Sequence, residues 1–129
     1  MSPRKSAKAQ AIISTEEVQV TVTLVPTELI DDNPYNPRPY YVEAEVDEMG
    51  DSLELFGLRE VPTGRKKADG RVEMAFGHKR HRGFRRNEKK FPKAEPADKW
   101  RKLPLILKDL TDAQMFDYAM EENLRRSDI

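Results

Sequence analysis

Two short motifs, 45 residues apart, carry the residue types that could do chemistry in this chain. Gly77-His78-Lys79-Arg80-His81-Arg82 follows a strand-like run, and Glu122-Asn123-Leu124-Arg125-Arg126 ends a well-signalled helix. A glycine followed by a cationic helix start is a ready anion site, because the first turn has free N–H groups and the positive end of the dipole. A Glu-Asn pair offers oxygen ligands to a hard cation such as magnesium. Together they point to phosphates plus a metal, the combination a bound nucleotide brings. A third piece is Asn33-Pro34-Tyr35-Asn36-Pro37-Arg38, where prolines could hold Asn36 and Arg38 over a ligand with little entropy left to lose.

Each motif also has a plainer reading. Gly77 can be only a tight turn, and Lys79 to Arg86 a solvated face. Against this, a plain helix favours acids in its first turn, so Lys79, Arg80 and Arg82 repel the dipole unless an anion is present. Glu122 can pair with Arg126 on an exposed face, for a few tenths of a kcal/mol, and Asn123 can merely end the helix. His78 and His81 could share a metal, but no third ligand is evident and surface histidines are the expectation. The proline-rich segment can be a rigid turn.

These motifs must be positioned by a small domain. The 129 residues suffice for one core. Charged residues reach 36% against 37% hydrophobic, which implies a small core and a highly charged surface. Net charge is zero, but its distribution is uneven. Glu28 to Glu60 holds ten acids and two arginines, while Gly77 to Lys93 holds eight cations and one acid. A basic patch on a neutral chain reads as a local anion site better than as a DNA-coating surface. The absence of cysteine removes disulfides, thiolate metal sites and cysteine catalysis. No apolar run approaches the ~18 residues of a membrane span, and the basic start of the chain lacks the apolar core of a signal peptide.

Residues 1–16 are expected to be a disordered tail, and 17–129 one domain. Val18 to Leu24 alternates as a strand that Pro26 ends. Three prolines make residues 31–39 a stiff loop. Val42, Val46, Met49, Leu53 and Phe56 form one helical face, with acids opposite and Gly57 as the stop. A short strand is expected at 59–62 and a charged turn at 64–70. Arg71 to Phe76 alternates into Gly77. A helix follows from His78 to Lys90, anchored mainly by Phe84, and then an exposed connection with Trp100 folding back. Leu103 to Leu107 is a short buried strand. Thr111 and Gln114 form a capping box for the last helix, whose stripe is Met115, Phe116, Ala119, Met120 and Leu124. The class is α+β, a mixed small sheet packed with three or more helices.

In order and spacing, these motifs resemble the N-terminal domain of ParB-type partition proteins, with the ParB/sulfiredoxin-like fold. That pattern runs from an Asn-Pro-x-Gln-Pro-Arg loop through a helix ending in Gly-Leu and a strand into Gly-Glu-Arg-Arg-x-Arg-Ala. It closes on a helix ending in Glu-Asn-Leu-Gln-Arg. Here the matches are Asn33 to Arg38, Gly57-Leu58, Gly77 to Gly83, Asp109 to Asp112 and Glu122 to Arg126, spanning about Val22 to Ile129. The departures are His78 for Glu, Lys79 for Arg, Gly83 for Ala, Asn36 for Gln, Arg59 for Gln, and a longer connection from Asn87 to Lys102.

The resemblance implies a domain that binds CTP with Mg2+ and hydrolyses it slowly, as the switch of a dimeric clamp on DNA in chromosome or plasmid partition. It implies nucleotide contacts from Asn36, Arg38, Gly77, His78, Lys79, Arg80, Arg82, Asn123 and Arg126. Glu122 and Asn123 would serve the metal, and Glu122 the chemistry. It further implies a homodimer in the full-length protein, a bacterial, phage or plasmid-encoded protein in the cytoplasm, no membrane partner, and a downstream DNA-binding domain outside this chain. Sulfiredoxins share the fold but need a cysteine after the corresponding Gly77. Two other readings stay open: a metal-dependent nuclease or small-molecule kinase with Glu122 or His81 as base, and a non-catalytic interaction domain presenting its acidic helix.

Overall fold

The computed structural model describes residues 20–38 and 40–127, with the side chains of 126 and 127 excepted. The expected tail at 1–16 lies outside the described residues. Strand β1 is Val22–Pro26, later than the expected Val18 to Leu24 but ending on the expected proline. A 3-10 turn at Thr27–Leu29 and a two-residue strand β2, Ile30–Asp31, come next, neither of them signalled by the sequence. Helix α1 spans Glu43–Phe56 and stops at Gly57, whose φ of 78° is open to glycine at little cost. Strand β3, Thr63–Lys66, sits beyond the expected 59–62 and converts the first half of the expected charged turn into sheet. Strand β4 is Val72–Phe76, helix α2 His78–Lys90, strand β5 Lys102–Leu107 and helix α3 Asp112–Ser127.

The sheet order is β1-β5-β3-β4-β2. β1 runs antiparallel to β5, β5 parallel to β3, β3 antiparallel to β4, and β4 parallel to β2. Side chains alternate across a strand, so Val72 and Met74 join one face while Ala75 joins the other. On the first face lie Val25, Ile30, Leu53, Phe84, Trp100, Leu103 and Leu105, under α1 and α2. Phe84 meets Trp100 edge-on at 5.1 Å, so the connection after α2 does fold back. On the second face α3 packs against β4, burying Met115 and Ala119. The capping box closes as expected: Gln114 N–H donates to Thr111 Oγ1 at 3.1 Å, and Thr111 N–H to Gln114 Oε1 at 2.9 Å.

The apolar stripes are narrower than their periodicity implies. Val42 and Phe56 at the ends of α1 are exposed, as are Phe116 and Leu124 on α3. The α1–α2 contact relies instead on two glycines. A Cβ on Gly83 would lie 2.8 Å from Leu53 Cδ1 and from Met49 Cγ, and one on Gly50 would lie 2.7 Å from Asn87 Oδ1. Buried Asn87 donates its Nδ2 to the Gly50 carbonyl at 3.0 Å, stitching the two helices where no side chain can fill the gap.

Candidate functional site

Strand β4 delivers the chain to Gly77, which caps α2 with φ 105°. Only glycine takes this left-handed turn cheaply. A Cβ here would also lie 2.6 Å from Pro62 Cβ, so the position is closed on both counts. The turn aims the first N–H groups of α2 at one point. Glu122 Oε2 accepts from Gly77 N–H at 3.2 Å and from His78 N–H at 3.1 Å. Its Oε1 lies 2.8 Å from His78 Nδ1. The two principal motifs therefore meet, through the acid of one and the amides of the other.

His78 is completely buried, which corrects the expectation of a surface histidine. Its Nε2 accepts the Asn33 N–H at 3.0 Å, so Nε2 carries no proton and the ring proton sits on Nδ1, facing Glu122. His78 thus joins the proline-rich loop, the start of α2 and the end of α3. Its backbone amide donates to Glu122, while the side chain points inward. His81 is also buried and corrects the same expectation; its Nε2 lies 2.9 Å from the Thr27 carbonyl. Burial pushes the His81 imidazole down to about 4, the Thr27 bond opposing and Arg82 and Arg85 adding to the depression. It is a neutral structural ring.

For Glu122, burial favours the protonated acid, but the bonds from the His78 ring and from the two amides outweigh it, and the pKa is lowered. The group is an anion held in an anion cradle at the positive end of α2, where the helix dipole favours it.

The cations around the cradle each face a carboxylate from another element. Lys79 Nζ lies 3.9 Å from Glu45, and Arg80 2.8 Å from Glu60. Arg82 grips Asp32 through two bonds of 2.8 Å, lowering the Asp32 pKa against the pull of burial. Arg38 pairs with Glu45 and lies 4.6 Å above the Tyr41 ring, with Arg82 5.1 Å above the same ring. Counter-ions to these cations are thus supplied within the chain, and the helix start is not left dependent on an external anion.

Asn36 Oδ1 accepts the Arg38 N–H at 3.1 Å and its Nδ2 donates to the Arg38 carbonyl at 2.8 Å, so it shapes the loop around Arg38. Asn123 lies next to Glu122, partly buried and with a partner of its own. The Arg126 side chain lies outside the described residues.

Sequence reasoning missed Asn33 as more than a loop residue. It is buried, accepts from Tyr35 N–H, and donates Nδ2 to the carbonyls of Ala75 and Met115 at 3.2 and 2.8 Å. An Asn before proline signals a turn, but nothing local signals its bonds to β4 and α3. Glu45, Glu60, Asp32 and Tyr41 were missed for the same reason.

As for a metal, no group of three or more His, Cys, Asp or Glu side chains among the described residues could hold one. Both Glu122 oxygens accept bonds from nitrogen, so this carboxylate is not a ready ligand for magnesium. A cavity of about 420 Å³ flanks α2, lined by Asp32, Val46, His81, Arg82, Arg85, Arg86 and Lys89. Its size falls within the range of small-molecule sites.

The chain is similar to known proteins in sequence and in fold. The sequence model of the ParB N-terminal domain matches residues 8–124. The chromosome-partitioning protein Spo0J of Thermus thermophilus is 31% identical over 108 residues, which is 84% of this chain and 36% of Spo0J. The chain thus spans about a third of the length of such relatives. Among solved structures, the C-terminally truncated chromosome-partitioning protein ParB from Caulobacter crescentus, complexed with CTP-gamma-S, aligns with a TM-score of 0.64 at 22% identity. That alignment covers 84% of this chain and 56% of the other. Sulfiredoxin from Arabidopsis thaliana aligns with a TM-score of 0.52 at 16% identity over 76% of this chain and 96% of its own, so the fold is shared as expected.

Proposed function

The chain belongs to the ParB N-terminal domain family, and from that premise we propose that it is a nucleotide-binding switch domain, with CTP as its ligand, serving chromosome partition or a related DNA transaction. One observation carries the proposal: two backbone N–H groups at the start of α2 converge on a carboxylate, with Lys79 and Arg80 at the rim. A cradle that holds a carboxylate has the donors and the dipole to hold a phosphate. The choice of base follows the Caulobacter relative, which is complexed with a CTP analogue.

In this reading Gly77, His78 through its amide, Lys79 and Arg80 receive the phosphates, with Asn36, Arg38, Arg82, Asn123 and Arg126 around them. Lys79 gives a point charge where arginine would give a planar fork. Magnesium has no preassembled set of three or more His, Cys, Asp or Glu ligands among the described residues. Turnover is expected to be slow. Glu122, with its lowered pKa, is a weak base, and the neutral His81 ring is tied to Thr27. Electrostatic stabilisation by Lys79 and Arg80 is what remains to lower the barrier. In the full-length protein the nucleotide would balance this charged surface as two copies close on DNA.

Calorimetric titration with CTP, ATP, GTP and UTP, with and without magnesium, tests the proposal. CTP-selective binding, abolished in Arg80→Ala with the fold intact, is the expected result. Arg80 pairs at the surface with Glu60, so its loss should leave stability nearly unchanged. A second reading has one observation behind it, the internal pairing of Arg38, Lys79, Arg80 and Arg82. A domain neutralised within itself needs no ligand. Failure of all four nucleotides to bind would overturn nucleotide binding by this chain alone, and would point to the interaction-domain reading or to a pocket completed by further domains and DNA.

A further inference from the structure

Helix α2 carries Arg82, Arg85, Arg86 and Lys89 at the i, i+3, i+4, i+7 spacing that keeps side chains on one face. All four line the cavity of about 420 Å³, together with Asp32 and His81. Two of them are committed, Arg82 to Asp32 and Arg86 to Asp47 and Asp51. Arg85 and Lys89 are exposed, and among the described residues their side chains make no ion pair and no hydrogen bond. They stand one turn apart, with Cβ atoms about 5–6 Å from each other. At that spacing they repel one another, and both can reach one phosphate group. The helix dipole favours Lys89 in the last turn but gives no such support to Arg85 a turn earlier. The cavity wall adds an independent observation. His81 is 5% exposed, and its Nδ1 is buried without a hydrogen-bond partner. Its Nε2 faces the Thr27 carbonyl and so carries the ring proton, which leaves Nδ1 a bare acceptor. A buried acceptor left unpaired costs stability. Two unpaired cations and one unpaired acceptor match a ligand that brings both a negative group and a hydroxyl.

We infer that this cavity is a second binding site, separate from the Gly77 cradle, for a small phosphomonoester that also carries hydroxyl groups, the sugar-phosphate class. The phosphate lies between Arg85 and Lys89, and a hydroxyl donates to His81 Nδ1. The separation follows from the helix rise of about 1.5 Å per residue, which puts Arg85 about 12 Å and Lys89 about 18 Å along α2 from Gly77. One phosphate cannot occupy both places. None of Gly77, His78, Lys79, Arg80 and Glu122 lines the cavity. Arg85 and Lys89 also lie past Gly83, where the match to the ParB pattern along α2 ends. The second site therefore stands or falls apart from the nucleotide reading.

The test titrates ribose-5-phosphate and inorganic phosphate into the chain by calorimetry at fixed ionic strength, and ribose-5-phosphate into Arg85→Gln, Lys89→Gln and Arg80→Ala. Ribose-5-phosphate should bind about tenfold tighter than inorganic phosphate, because only the sugar brings a hydroxyl to the buried acceptor. Arg85→Gln and Lys89→Gln alter exposed side chains and should leave the fold intact. Each should weaken ribose-5-phosphate binding about five- to tenfold through the loss of a charge-assisted bond. Arg80→Ala, which alters the cradle rim alone, should leave that binding unchanged. In the unaltered chain the His81 Nδ1 signal, read by long-range proton–nitrogen NMR, should move upfield with ribose-5-phosphate, as a bare ring nitrogen does on accepting a hydrogen bond. Binding weakened by Arg80→Ala but not by Arg85→Gln or Lys89→Gln would put the phosphate in the cradle and overturn the second site. Equal affinity for inorganic phosphate, with an unmoved Nδ1 signal, would mean an adventitious ion only and overturn the sugar-phosphate assignment. No binding of ribose-5-phosphate would overturn the inference whatever CTP does, and CTP binding would stand untouched by it.

Discussion

Replacing Gly83 with alanine tests the packing of α1 on α2 in a way that sets two effects of known size against each other. Alanine removes a helix-propensity penalty of about 1 kcal/mol, and it is the residue that the family pattern carries at this position. The structure opposes that gain. The new Cβ would lie 2.8 Å from Leu53 Cδ1 and Met49 Cγ, and 3.4 Å from the Gly50 amide nitrogen. Leu53 is 4% exposed and has little room to move; Met49 is partly buried and can change rotamer. Overpacking of a close contact costs about 1–3 kcal/mol. The balance is a net destabilisation of about 1 kcal/mol, visible as a lower urea midpoint at unchanged slope. Combining it with Met49→Ala removes one of the two clashes, so the alanine should cost less in that background, with a coupling of about 1 kcal/mol. If Gly83→Ala alone raised stability by about 1 kcal/mol, the helices would be free to separate and the glycine would have no packing role.

Three further outcomes are expected. Asn33→Ala removes the side-chain donor that the buried Ala75 and Met115 carbonyls share and should cost about 1–3 kcal/mol in urea unfolding; no measurable loss would mean that water replaces it. His81, held down to about 4, resists the proton that the unfolded chain accepts below its ordinary value near 6.5. The unfolded state therefore binds more protons between these limits, and stability should fall as pH drops from about 6.5 to 4, by about 3 kcal/mol in all. His81→Gln should flatten that slope, and a wild-type midpoint that does not change between about pH 7 and 5 would refute the burial argument. Asp31, lowered to about 2 chiefly by its bond from Arg71, with burial opposing, contributes stability that is present above about pH 4 and lost as pH falls towards 2. Asp31→Asn should remove that low-pH loss, read from the same urea midpoints.

The parts of this fold legible in the sequence are those fixed locally. Thr111 and Gln114 cap α3 through their own side chains, Gly57 and Gly77 take backbone angles that other residues avoid, and Pro26 ends β1. The same holds for the site, since Gly77 and Glu122 were singled out by residue type and do meet. What was not legible is long-range. Strand β2 has two residues and exists because β4 pairs with it. The apolar stripes of α1 and α3 read too wide because periodicity does not say where a neighbour ends; Phe56 and Leu124 keep the period and stay exposed. His78 and His81 looked like surface residues because a histidine carries no sign of the carbonyl or amide that will satisfy it when buried.

The dense charge of α2 is where local and long-range causes combine. Four cations near the start of one helix and in the loop beside it are unfavourable as a sequence. Yet their counter-ions come from three separate places: Glu45 on α1, Glu60 before β3 and Asp32 after β2. At this end of the molecule, charge balance is thus a set of built pairs and not an average over a mixed surface. The pairs differ in what breaking them costs. Arg80–Glu60 is at the surface, where water replaces the partner and the interaction is worth little. Arg82–Asp32 is partly buried and two-pronged, so it holds the loop to α2. Glu122 differs from all of these acids, because two of its partners are backbone amides at a helix start, which cannot turn away to water as a side chain can. Ranked by what water can replace, Arg80–Glu60 is the loosest of these contacts and the Glu122 set the most fixed, because its two amides belong to the helix backbone.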